Sequence, residues 1–200
     1  MKTIKLLCLI LLFSSCEGFK EQHTSFPLQM QESTVECGPA CLKMISDFHG
    51  VAYSLETLAL LSKMDEHEGT SLGNISEAAK LIGLYNLAVK INYEELLTKA
   101  PYPAILHWDD NHFVVIYKMT EDKIWIADPA RGYMEYTKEE FLQHWVKKDT
   151  IETLEEGYAL ILETTDSFFD PKTKINAQIQ SRSQAKKNDD EILQSQSEYK

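Results

Sequence analysis

Basic residues are in short supply: 20 Lys and Arg stand against 31 Asp and Glu, a formal charge of −11 at neutral pH. The shortage lies in the middle of the chain, where Glu17–Thr165 holds 12 basic and 25 acidic side chains. Such a chain is poorly suited to grip DNA or RNA by its phosphates or to lie on an anionic lipid surface, whereas a partner carrying basic residues would be drawn to it. Cysteine is scarce too, and four in 200 residues cannot make a disulfide scaffold. Long apolar runs are missing: the N-terminal run Leu6–Phe13 has eight residues, against the roughly 20 that a spanning helix needs. There is no Walker-type loop, dinucleotide fingerprint or HExxH stretch, and Cys37, Cys41 and His49 are spaced wrongly for a structural zinc site. No cofactor or metal is therefore expected. What remains, 44% apolar and 26% charged residues without internal repeats, is the composition of an ordinary globular domain with extra segments.

Those segments are the two ends. Lys2 and Lys5, the apolar Leu6–Phe13 and the small Ser14-Ser15 followed by Cys16 read as an export signal. A cysteine in that place resembles a bacterial lipoprotein signal, with residues 1–16 ending at a lipidated Cys16. The expectation is a chain held by lipid outside the cytoplasmic membrane, the alternative being a cytoplasmic protein whose signal is unused. At the other end, residues 166–200 are rich in Gln, Ser, Asn and Lys and have too few large apolar residues to offset ordering entropy, so a mobile tail is expected. Residues 26–165 are left to make one core.

Within that core, Gly38-Pro39 opens a helix over ACLKMISDFHG that Gly50 closes. Ser54 is placed to cap LETLALLSKM and Ser71 to cap LGNISEAAKLIG. The texture then changes to LYNLAVKI, PAILHW, HFVVIYKM, KIWIAD and GYALILE, short segments rich in β-branched and aromatic residues, with short helices near Tyr93–Thr98 and Lys138–Trp145. Helices first and mainly antiparallel strands afterwards is an α+β layout.

Cys37 is the sharpest chemical feature. A thiol at a helix N-terminus faces the positive end of the dipole, which favours the nucleophilic thiolate; the bland alternative, a small buried hydrophobe, is the commoner fate of a free cysteine. Cys41, one turn on, reads as packing. A cysteine nucleophile needs a base and the base an orienting group. If the turn of HFVVIYKMTEDKIWIADP centres near Thr120–Glu121, His112 and Asp128 fall directly opposite one another at the open end of a hairpin. Chance placement of an edge histidine and a strand-terminal aspartate would look the same. Of the other histidines, His107 reads as structural, His49 as a cation at a helix C-terminus, and His67 and His144 as exposed.

Taken together, QESTVECGPACLKMI, PAILHWDDNHFVVIYK and IADPARG resemble the peptidase domain of bacteriocin-processing ABC transporters, papain-like cysteine peptidases that cut leader peptides after a double glycine. The resemblance runs from about Phe26 to Glu163. It implies a papain-like fold, Cys37 as nucleophile, His112 as general base and acid, Asp128 as its orienting residue, and Gln31, six positions before Cys37, as an oxyanion-hole donor. Gln29 is a competitor that only the spacing disfavours. The partner implied is a peptide with a glycine-ended leader, and a separately encoded ABC exporter would accompany it. Family members usually continue into membrane helices and an ATPase, so transport is not carried over. Two other readings stand beside the peptidase: a catalytically silent leader-binding module, and a fragment of such an exporter.

Overall fold

The computed structural model describes residues 26–146 and 155–169, together with 183, 184, 187 and 188. Cys16, the expected signal and most of the expected tail lie outside these described residues.

Three helices come first. α1 (Cys37–Phe48) carries Pro39 in its first turn, where a missing N–H costs nothing, and stops before Gly50, whose φ of +82° suits a residue without a side chain. Its Cys41, Leu42, Met44 and Ile45 are fully buried. α2 (Leu55–Leu61) is capped by Ser54, whose hydroxyl accepts the Thr57 N–H at 3.1 Å. It is shorter than its apolar pattern predicts because the chain turns away at Lys63, φ +50°. α3 (Leu72–Leu81) is capped by Ser71, which accepts the Asn74 N–H at 3.1 Å.

The remainder is a six-stranded sheet with two short helices: β1 (Leu84–Asn92), α4 (Tyr93–Lys99), β2 (Ala104–Trp108), β3 (His112–Met119), β4 (Ile124–Asp128), β5 (Gly132–Tyr136), α5 (Lys138–Trp145) and β6 (Glu156–Thr164). The strand order is β1-β6-β2-β3-β4-β5 with antiparallel pairs throughout. β1 forms one edge and leaves Tyr85 and Leu87 exposed. β5, which the sequence pattern does not single out, forms the other.

Both faces of the sheet are covered. Ile105, Val115, Ala127, Leu160 and Leu162 pack with α1, α2 and α3. Their neighbours Leu106, Val114, Ile116, Ile126 and Ala159 point the other way, onto Tyr93 and Leu96 of α4 and Phe141 and Trp145 of α5. Side chains alternate across a strand, so strands buried on both sides read as continuous apolar runs. That is the texture of AILHW and HFVVI.

The core also extends past the expected boundary at 165. Asp166–Phe168 forms a single 3-10 turn, and Phe168 is fully buried against the helical face of the sheet. It lies so close to Gly83 (φ +89°) that a Cβ there would sit 2.6 Å from the Phe168 backbone nitrogen.

Candidate active site

Cys37 is the first residue of α1 and is 6% exposed. The helix mouth is set tightly against the following layer. A Cβ on Gly38 would come within 2.4 Å of Thr70 Cγ2 and 2.8 Å of Ile75 Cδ1, so a side chain here would have to displace both neighbours.

His112 opens β3, and α1 packs on that strand. Its Nε2 lies 2.8 Å from Asp128 Oδ1, and the Cys37 side chain is near enough to the ring to help raise its pKa. With Nε2 taken by the carboxylate, Nδ1 is the nitrogen left for sulfur. Burial by itself would lower the affinity of this imidazole for protons. The bonds and negative charges of Asp128 and Cys37 outweigh it and raise the pKa from the ordinary 6.5 to about 9.

Asp128 ends β4 and is fully buried. Burial pushes its carboxyl upward, but the bond from His112, the Ala130 N–H donating to Oδ1 at 2.8 Å, and the charges of His112 and Arg131 hold it below the usual value of 3.8. Arg131 Nε stands 3.9 Å from Oδ2, an oxygen with no hydrogen-bond partner among the described residues.

The register that brings these two together differs from the one read off the sequence. The tight turn is one residue later, with the Thr120 N–H bonded to Lys123 O at 2.8 Å and Met119 opposite Ile124. Continued without a break, that pairing would put Asp128 opposite Val115, on the other face from His112. Instead the ladder shifts between Ile116 and Lys118, so that Val115 pairs with Ala127. One further step places Asp128 across from Val114, on the same face as His112 and diagonal to it. A bulge at Tyr117 thus corrects the parity of the hairpin.

Gln31 is held beside this pair by its backbone, its N–H donating to Pro129 O at 2.9 Å, one residue past Asp128. The segment leading to it is strapped down at Phe26, whose carbonyl accepts the Tyr133 hydroxyl and whose ring stacks on Tyr117 at 4.9 Å. Gln31 Oε1 is buried without a hydrogen-bond partner among the described residues, whereas the Gln29 amide donates locally to Met30 O at 2.9 Å.

Cys41 is fully buried, and burial, aided by the charges of Cys37 and Asp128, pushes its thiol well above the usual range. It is a packing residue. Of the histidines, His49 does not behave as the expected cation: burial lowers its pKa, its Nε2 has no partner, and its ring contacts Phe48 and Phe168. His144 is only one-third exposed and is bonded to Asp109.

A cavity of about 670 Å³ adjoins the site. Thr70, which crowds Gly38, lines it on one side, and Asn111 and Phe113, the neighbours of His112, on the other; His107, in ring contact with Phe113 at 5.4 Å, also lines it. Of these lining residues only Asn111 and Phe113 carry a signal in the sequence, their adjacency to His112.

Comparison with known proteins finds a matching family model, related sequences and similar solved structures. The model of the Peptidase C39 family matches residues 25–153. The Lactococcin-G-processing and transport ATP-binding protein of Lactococcus lactis is 36% identical over 120 residues, which are 58% of this chain and 17% of that protein. The chain thus spans about a sixth of that relative. Among solved structures, the double glycine motif protease from an AMS/PCAT transporter in complex with its leader peptide superposes with a TM-score of 0.62 at 29% identity, covering 70% of this chain and 91% of that one. The peptidase domain of Streptococcus ComA, a bi-functional ABC transporter, gives 0.61 at 28% identity, covering 70% of this chain and 100% of that one.

Proposed function

The chain belongs to the Peptidase C39 family, and from that premise we propose that it is a cysteine peptidase that cleaves glycine-ended leader peptides after the second glycine, with Cys37 as nucleophile, His112 as acid and base, Asp128 as orienting residue and Gln31 as oxyanion donor. One observation carries the proposal: a single imidazole, bonded to the carboxylate of Asp128 at 2.8 Å, stands beside the Cys37 side chain at the mouth of α1.

The chemistry follows from these parts. A His112 that holds its proton up to about pH 9 is an imidazolium at neutral pH, the partner a thiolate needs. Sulfur attacks the scissile carbonyl carbon, and the oxyanion that forms is held by the Gln31 amide and the Cys37 backbone N–H. As the carbon–nitrogen bond breaks, His112 gives its proton to the leaving amine and becomes neutral. It then takes a proton from the water that attacks the thioester, releasing the glycine-ended acid and restoring the starting ion pair. The peptide is the immediate partner; a separately encoded ABC exporter would carry the product.

The test is cleavage of a peptide with a Gly-Gly leader by the purified chain, together with labelling by a thiol-directed covalent inhibitor. Wild type is expected to cut after the second glycine and to be labelled at Cys37, and a folded Cys37→Ala to lose both. Equal cleavage by Cys37→Ala overturns the proposal, and leader binding without cleavage by wild type replaces it with a silent binding module.

A further inference from the structure

The residues just before His112 adopt a conformation that the chain does not favour unaided. Asp109 has φ +46° and Asp110 φ +66°, two successive non-glycine residues in the left-handed region. Left-handed backbone is costly for residues with a Cβ, tolerated best by Asn and Asp, and it persists only where surrounding contacts fix it. Trp108 and His112 face each other across this turn as the closing pair of the β2–β3 hairpin. The direction in which His112 leaves the turn therefore depends on how the turn is held.

It is held from α5. His144 Nδ1 lies 2.8 Å from Asp109 Oδ1, and since a carboxylate only accepts, the ring nitrogen donates. The same residue accepts the Asp109 N–H on its backbone carbonyl at 3.0 Å. Its ring also stacks on Trp108, with centroids 5.2 Å apart and planes 15° from parallel, and meets Tyr136 edge-on at 5.6 Å. One residue thus grips the turn by carboxylate, by backbone and by the tryptophan opposite His112. An isolated pair as exposed as His144 and Asp109 adds little to stability, and three coincident contacts on one turn fit a geometric duty better.

We propose that His144 is a positioning residue for His112: by clamping Asp109 and Trp108 it fixes the strained turn from which His112 reaches both Asp128 and Cys37. The proposal rests on the reading of His112 as the acid and base of the peptidase. The tether works through a helix on the far face of the sheet from α1, so the histidine is located from both layers of the fold.

The experiment compares wild type, His144→Ala and His144→Asn in the full chain. The asparagine amide reaches about as far as Nδ1 and can restore the bond to Asp109. His144→Ala is expected to lower kcat on a Gly-Gly leader peptide by about tenfold or more, the scale of loss that small misplacements cause. It is also expected to move the His112 titration, followed by NMR of the imidazole, down from about 9. His144→Asn should recover most of both. An unchanged kcat and unchanged titration in His144→Ala overturns the proposal, as does a folded His144→Asn no better than alanine. The NMR arm needs no turnover, so wild type without peptidase activity would sink the functional reading while still testing the clamp.

Discussion

Asp128 reaches His112 diagonally across a bulged hairpin, Oδ1 to Nε2 at 2.8 Å, from a position one strand-step beyond Ala127, the last residue paired with β3. The carboxylate is wholly buried and its second oxygen has no hydrogen-bond partner among the described residues, so its directional bonding goes to the imidazole and the Ala130 N–H. This bond is a main reason that His112 keeps its proton to about pH 9 in spite of burial.

Asp128→Asn should therefore act through pH. Without the carboxylate, the His112 pKa falls back toward or below 6.5, and the alkaline limb of kcat/KM moves from near pH 9 toward neutrality. At pH 7–8 kcat should drop on the order of 100-fold. Stability shifts with it. A raised folded pKa stabilises the protein fully below the unfolded value near 6.5, and that contribution fades as pH rises through about 9. Denaturant titrations at pH 6 and pH 10 should show wild type losing this contribution and Asp128→Asn lacking it at both. An alkaline limb identical in both proteins would mean that Asp128 does not set the histidine.

Gln31→Ala should lower kcat about 100–1000-fold with little change in KM, the signature of a donor that acts on the oxyanion. Gln29→Ala should stay close to wild type, because its amide is turned to the neighbouring Met30 carbonyl. Steady-state kinetics on one leader peptide separates the two. Reversed effects would move the oxyanion donor to Gln29.

Phe168→Ala should cost about 3–5 kcal/mol of unfolding free energy, as for other fully buried aromatic side chains. Gly83→Ala should also destabilise, since it strains a φ of +89° and drives a methyl into the Phe168 backbone. Urea unfolding measures both, and near-wild-type midpoints would show that the fold ends before the 3-10 turn.

Cys16 outside the described residues remains a proposal of location. Mass spectrometry of host membranes should find a mature chain that begins at an acylated Cys16, and Cys16→Ser should release the protein from that fraction. A soluble chain starting at Met1 would place the peptidase in the cytoplasm.

Much of the scaffold was legible because its signals are local. Ser54 and Ser71 cap the helices they precede, Pro39 and Gly50 bracket α1, and doubly buried strands read as apolar runs. The place of Cys37 at a helix start is also readable locally, although a buried packing cysteine would carry the same signal. What escaped depends on contacts distant in sequence. β5 is an edge strand whose Tyr133 and Glu135 face solvent, so GYMEY lacks the apolar weight of the others. The bulge at Tyr117 leaves no trace in composition, and the hairpin register was therefore misjudged even though the partnership of His112 and Asp128 was foreseen. Phe168 sits among polar residues that advertise a tail. At His49 the expected pull of the helix dipole loses to burial. The place of Gln31 came from family resemblance alone, because its tie to Pro129 O is tertiary.

The open margin formed by β1 bears on how this domain behaves in a tube. Nine residues of strand edge that no described residue pairs with, Tyr85 60% and Leu87 52% exposed among them, are a template on which a second molecule can pair. Against that stands mutual repulsion, since the stretch Glu17–Thr165 carries 25 acidic and 12 basic side chains. Repulsion reaches about 10 Å in 0.1 M salt and about 3 Å in 1 M. Dilute buffer should therefore keep the molecules apart, and concentrated salt should bring on self-association, a trend opposite to that of complexes held by charge attraction.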